Sequence, residues 1–128
     1  MSISINSNNL QGEIRIVYYT NQFEITSDFY FNILGLTIFK TFDHEGEYNR
    51  GTVFQLGKLL VEILETKDQV QNNISSYLYI ERNDINDFFD QIKESVTVIS
   101  PPESFPWGHT SFLIQDPDGN QLKFFSQN

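Results

Sequence analysis

FPWGHTSFLIQDPDGNQLKFFS, residues 105–126, reads as two β-strands folded back on a five-residue turn. HTSFLIQ (109–115) and QLKFFS (121–126) are short runs rich in apolar and aromatic residues, as strands are. Asp116-Pro117-Asp118-Gly119-Asn120 between them is turn chemistry: proline presets φ, and Gly and Asn accept the positive φ that a tight reversal needs. Trp107 and Gly108 stand just before the hairpin, where Pro106 restricts the backbone and helps aim the indole.

Working outward, SYLYIE (76–81) reads as a strand and DINDFFDQIKE (84–94) as a helix capped by Asp84. VTVIS (96–100) is a strand ended by Pro101-Pro102. The same order stands earlier in the chain. EIRIVYY (13–19) is a strand, and NQFEITSDFYFNIL (21–34) has helical spacing with Phe23, Phe29, Tyr30, Ile33 and Leu34 on one broad face. Asn21 is its expected N-cap and Gly35 its stop. LTIFKTF (36–42), GTVFQLG (51–57) and KLLVEILE (58–65) are strands, the last two joined at Gly57-Lys58, and HEGEYN (44–49) is a turn. Ser27–Ile33 even aligns with Asn86–Ile92, an aromatic pair sitting mid-helix in both. A repeated module explains this, and chance likeness between two amphipathic helices is the alternative. The expected organisation is one domain over 1–128: module one about 12–66, a polar linker about 67–75 and module two about 76–127.

Composition narrows the partners. The 128 residues carry a formal net charge of −9, which argues against nucleic acid, because phosphate binding needs a basic face. With no cysteine, disulfides, thiolate metal sites and cysteine nucleophiles are excluded. No basic stretch followed by an apolar run opens the sequence, and no apolar run reaches membrane-spanning length. A cytoplasmic protein with no membrane partner is expected. Twelve Phe, six Tyr and one Trp exceed what a core of this size needs, so some rings are expected to line a cavity.

Three features together resemble the vicinal oxygen chelate superfamily of glyoxalases, bleomycin-resistance proteins and extradiol dioxygenases. They are Phe29-Tyr30 followed by Leu34-Gly35-Leu36, Trp107-Gly108, and the Asp116–Asn120 turn, in that order and spacing. The resemblance spans residues 13–127. It implies an α+β fold of two βαβββ modules forming an incomplete barrel around a cleft. It also implies that metal-dependent relatives draw His or Glu ligands from the first and last strand of each module. Carried onto this sequence, those positions are Arg15, Glu62, Tyr77 (or Ser76, depending on register) and Lys123. Leu78 and Ile80 facing the helix, as Ile16 and Tyr18 do, favours Tyr77. Charged Arg and Lys have no lone pair to offer a metal, so neither a metal nor another cofactor is expected. Arg15, Glu62 and Lys123 instead form either a closed ion network or a receptor with positive charge left for an anionic ligand group.

Pro106-Trp107-Gly108 ahead of the Asp116–Asn120 turn is closest in pattern to bleomycin-resistance-like members. The function this implies is metal-free binding and sequestering of a small drug-like molecule, hence antibiotic resistance. Tyr19, Tyr77, Tyr79, Trp107 and Phe112 would stack on a planar ligand, and the acidic surface would attract a cationic one. His109 either contacts the ligand or serves as a general base; His44, among Glu45 and Glu47, is either a metal cluster or a solvated turn. The alternative is an enzyme of the same fold, a lyase, isomerase or oxidoreductase, although no complete catalytic constellation is visible. A non-catalytic partner module using a sheet edge would leave the aromatic residues unexplained. A homodimer is expected, since such sheets leave edges and apolar faces to cover.

Overall fold

Side-chain alternation along each strand decides which face it buries, and here it sorts eight strands into two sheets. The computed structural model describes residues 9–43, 50–71 and 75–128. The first module runs β1 (Arg15–Thr20), α1 (Phe23–Asp28), a π-helical turn (Phe29–Ile33), β2 (Thr37–Asp43), β3 (Arg50–Leu56) and β4 (Leu59–Glu65). The second runs β5 (Tyr77–Glu81), α2 (Ile85–Ile92), β6 (Thr97–Ser104), β7 (His109–Gln115) and β8 (Gln121–Gln127). Strand orders are β1-β4-β3-β2 and β5-β8-β7-β6, so the repeat inferred from the helices holds for the topology. In each sheet the first strand lies parallel to the last, and the other pairings are antiparallel. The fold is α+β, two βαβββ modules whose sheets do not close into a barrel. The expected HEGEYN turn and its His44 lie outside the described residues.

One hydrophobic core joins the modules. Phe29, Tyr30, Phe54, Val61 and Ile63 from the first meet Leu78, Phe88, Phe112, Ile114, Leu122 and Phe124 from the second. Ile16, Tyr18 and Ile80 pack against it, as the register reading at Tyr77 requires. The other face of each sheet, with Arg15, Val17 and Tyr19 on β1 and Tyr77 and Tyr79 on β5, turns away from that core.

The helices differ from expectation in detail. The segment 21–34 is an α-helix that widens into a π turn, where the Leu34 N–H bonds the Phe29 carbonyl. Phe29 and Tyr30, adjacent in sequence, are both buried there. Gly35 ends the segment at φ +71. Gln22, not Asn21, holds the N-cap position. Asp84 does sit at the N-cap of α2, but makes no side-chain capping bond, because Arg82 binds its carboxylate at 2.7 and 2.9 Å. Strand β6 also runs through Pro101-Pro102 rather than ending before them. It is an edge strand with two register shifts beside β7, where missing N–H donors cost little. No helix among the described residues is long and apolar enough to cross a membrane.

The two motifs that flank the chain are bonded to each other. The Tyr30 hydroxyl donates to Asp116 Oδ2 at 2.7 Å, the Thr26 hydroxyl to Asp118 Oδ2 at 2.8 Å, and the Gln22 amide to Asp118 Oδ1 at 2.8 Å. Asp116 also accepts the backbone N–H groups of Asp118 and Asn120 and the Asn120 amide, each at 2.9 Å. The turn of the last hairpin therefore clamps the first helix. Burial pushes the Asp116 carboxyl above the ordinary aspartate range, against the pull of the bonds from Tyr30 and Asn120.

Candidate functional site: two sheet faces

The outer face of the first sheet centres on Glu62. In register it lies between Val17 on β1 and Val53 on β3, and it is 7% exposed. A carboxylate so placed needs a partner, and Arg15 Nη1 supplies one at 2.7 Å. The other end of the guanidinium bonds Glu13 at 2.6 Å. Hydrogen bonding to Glu62 and then Glu13 raises the Arg15 pKa, against desolvation. One guanidinium thus serves two carboxylates, and Arg15 has no charge to spare. Tyr19 stands at the exposed end of the same strand face.

The outer face of the second sheet is aromatic. Tyr79 stacks on Phe125 with centroids 4.2 Å apart, and His109 stacks on Phe125 at 4.7 Å. The Tyr79 hydroxyl and His109 Nδ1 are 2.7 Å apart. With the phenol donating, a neutral His109 ring carries its proton on Nε2. Tyr77 meets Tyr79 edge to face at 6.2 Å, and Trp107 stacks on Phe105 at 4.7 Å. Between these pairs the Lys123 ammonium lies 5.6 Å from the Tyr77 ring and 5.4 Å from the Phe105 ring. Tyr77 and Tyr79 are about half exposed and Trp107 more than half.

Of the residues picked out in the sequence, Arg15 and Glu62 come together, and so do Tyr77, Tyr79, His109, Trp107 and Lys123. The two groups sit on separate sheets. Phe112 is a correction: it is 1% exposed and packs among Phe88, Phe89 and Phe124 in the core. Strand β7 turns His109 and Ser111 outward and Phe112 and Ile114 inward, so Phe112 cannot stack on a ligand at the outer face. Sequence reading missed Phe105 and Phe125, which organise the rings around them. Alternation along QLKFFS, which puts Phe125 beside Lys123, was the available signal. A groove of 340 Å³ between the β3–β4 turn and β5, lined by Leu56, Leu59, Leu78 and Tyr79, reaches the aromatic face at Tyr79.

The sequence matches the glyoxalase-like domain model over residues 14–126. The chain belongs to this glyoxalase-like family of the vicinal oxygen chelate superfamily. No curated protein sequence matches it. Solved structures share the glyoxalase-like fold at low identity. TioX from Micromonospora sp. ML1 is 13% identical with a TM-score of 0.72, over 91% of this chain and 98% of its own. TnmS3, an antibiotic binding protein from Streptomyces sp. CB03234, is 18% identical with a TM-score of 0.74, over 94% and 98%. A mutant of FosX, a fosfomycin resistance protein from Listeria monocytogenes, is 17% identical with a TM-score of 0.77, over 93% and 94%. That FosX structure is a complex with Mn(II) and 1S,2S-dihydroxypropylphosphonic acid.

The residues this glyoxalase-like chain offers do not fit such an ion. Charged Arg15 and Lys123 have no donor pair, and Glu62 Oε1 is held by Arg15. Among the described residues no group of three His, Asp or Glu side chains is placed to hold a metal.

Proposed function

We propose that this protein binds and sequesters a planar, antibiotic-like small molecule without a metal, in the cytoplasm and as a homodimer. The observation that carries this reading is the ring array on the second sheet. Tyr77, Tyr79 and Trp107 stay 50%, 49% and 63% exposed, although each already packs against a neighbouring ring. Water-exposed rings held in place are ready to stack on a flat ligand with little ordering cost. In the dimer the first-sheet face of one chain covers the second-sheet face of the other. Glu62 and Trp107 then line one cleft built from two chains, with Val17 and Tyr19 as its opposite wall. The antibiotic-binding and resistance proteins among the structural neighbours support the ligand class.

Trp107 is the only tryptophan, so its fluorescence reports on this site alone. A panel of planar antibiotics is titrated against parent and Trp107→Ala protein, with thermal shift as the second readout. Hits should quench Trp107, and Trp107→Ala should lose about 1–3 kcal/mol of affinity. Hits that raise the melting temperature equally in both proteins would place the ligand elsewhere. An enzymatic role, as a lyase, isomerase or oxidoreductase, rests on the Tyr79–His109 hydrogen bond as an acid–base pair. Turnover of a bound hit that is lost in His109→Gln would favour it.

A further inference from the structure

Lys123 sits on β8, an inner strand, in the middle of the aromatic face. The chain has 17 acidic residues against 8 basic ones, so carboxylates are plentiful. The three arginines are each tied to at least one: Arg15 to Glu13 and Glu62, Arg50 to Glu24 and Glu65, and Arg82 to Asp84. Lys123 has no carboxylate within ion-pair distance among the described residues. Its ammonium has the rings of Tyr77 and Phe105 instead. Ring faces attract a cation but do not neutralise it. They also hold it in place, so little side-chain freedom is left to lose when an anion arrives. By register Glu81 and Glu103 share this outer face, but neither is within ion-pair distance of Lys123, and Glu81 accepts from the Gln127 amide at 2.8 Å. Glu62, on the first sheet, is already matched by Arg15.

We propose that the ligand of this site is an aromatic acid: a planar ring system bearing a carboxylate or an acidic phenol. This rests on the reading of the second-sheet face as a stacking site, and it fixes the sign of the ligand's charge. The rings pack against Trp107 and Tyr77, and the acid meets the Lys123 ammonium. A cationic group in that position faces an unneutralised like charge. The chain's net charge of −9 therefore misleads about the ligand, because it describes the far field and Lys123 describes the contact.

The test uses three probes on one scaffold: anthraquinone-2-carboxylate, its carboxamide and the corresponding aminomethyl cation. Each is titrated into parent protein, Lys123→Met, Lys123→Gln and Lys123→Arg, with Trp107 quenching as readout. In the parent the carboxylate should bind about tenfold tighter than the amide, as for a charge-assisted hydrogen bond, and the cation weakest. Both neutral variants should bring carboxylate and amide to parity, while Lys123→Arg keeps the preference. Equal binding of acid and amide by the parent, or tightest binding of the cation, overturns the aromatic-acid assignment and leaves the stacking site standing. Parity in the parent with weaker dimerisation in Lys123→Met also overturns it, making Lys123 an interface charge. Failure of all three probes to quench Trp107 removes the stacking site and this assignment together.

Discussion

Asp116 is the residue on which both modules depend. It is 3% exposed and gathers four donors from three residues, so its replacement by alanine strands several of them and should cost about 3 kcal/mol in urea unfolding. Its pH effect follows from the direction of its shift. The native carboxyl holds its proton to higher pH than the unfolded one, so across the window just above the ordinary aspartate value the native state binds more protons. The Asp116 contribution to stability is full below that window and lost as pH rises through the native value. Asp116→Asn should flatten this part of the stability–pH curve, and an unchanged slope counts against the assignment. Tyr30→Phe removes a bond that pulls the value down, so it should cost about 1–2 kcal/mol and extend the window upward. On the first sheet, Arg15→Met leaves Glu62 without its cation. Arg15 is 24% exposed, so a double-mutant cycle with Glu62→Leu should give a coupling of only about 1 kcal/mol. Arg15 and Glu62 were legible together only through the family resemblance, which puts both at ligand positions of the first module; the parallel register of β1 and β4 is what brings them into contact. The sequence did not reveal Tyr30–Asp116, since nothing local says that a turn 86 residues away will accept a phenol.

Elements were legible wherever periodicity was strong, and misread wherever a tertiary partner decided the outcome. The eight strands and two helices follow from alternation and from 3.6-residue spacing. The bound of β6 did not, because Pro101-Pro102 end a strand only if their N–H groups are needed, and at a sheet edge they are not. The π turn was invisible for a similar reason: an i→i+5 bond at Phe29 leaves no local mark beyond two consecutive aromatics that both want burial. Strands β2 and β3 contain a tighter constraint. Phe42 pairs with Gly51, and its ring lies where a Cβ on Gly51 would stand. Gly51 has ordinary backbone geometry, so the requirement is space, not φ. Gly51→Ala should therefore cost about 1–3 kcal/mol by overpacking, measured by chemical denaturation. Adding Phe42→Leu should recover part of that loss. If the double variant is no more stable than Gly51→Ala, the ring is not what excludes the side chain.

At the scale of the whole molecule, the question is what covers the two outer faces. Likeness to a family puts Arg15, Glu62 and Lys123 in one cleft lined by both modules; within the chain Arg15 and Glu62 lie on the first sheet and Lys123 on the second, and the two sheets share a core on their opposite faces. Val17, Tyr19, Tyr77, Tyr79 and Trp107 are 41–63% exposed on those faces. Leaving such surface in water is unfavourable at roughly 25 cal/mol per Å², and patches of this kind mark interaction sites. The proposed homodimer would cover both faces symmetrically, since each chain offers one face of each kind and a two-fold axis pairs unlike faces twice. Sedimentation at micromolar concentration should give twice the 14.9 kDa chain mass. Val17→Asp places a carboxylate on the first-sheet face beside buried Glu62, so it should dissociate the dimer by desolvation and repulsion. Ile25→Asp, on α1 and 59% exposed, should leave the mass unchanged. The same pair of variants separates assembly from binding: if the cleft is built from two chains, Val17→Asp should also abolish Trp107 quenching by any hit, although Trp107 belongs to the other module. A Val17→Asp monomer that still binds with parental affinity would confine the site to the second sheet, and the first sheet would then serve only the core.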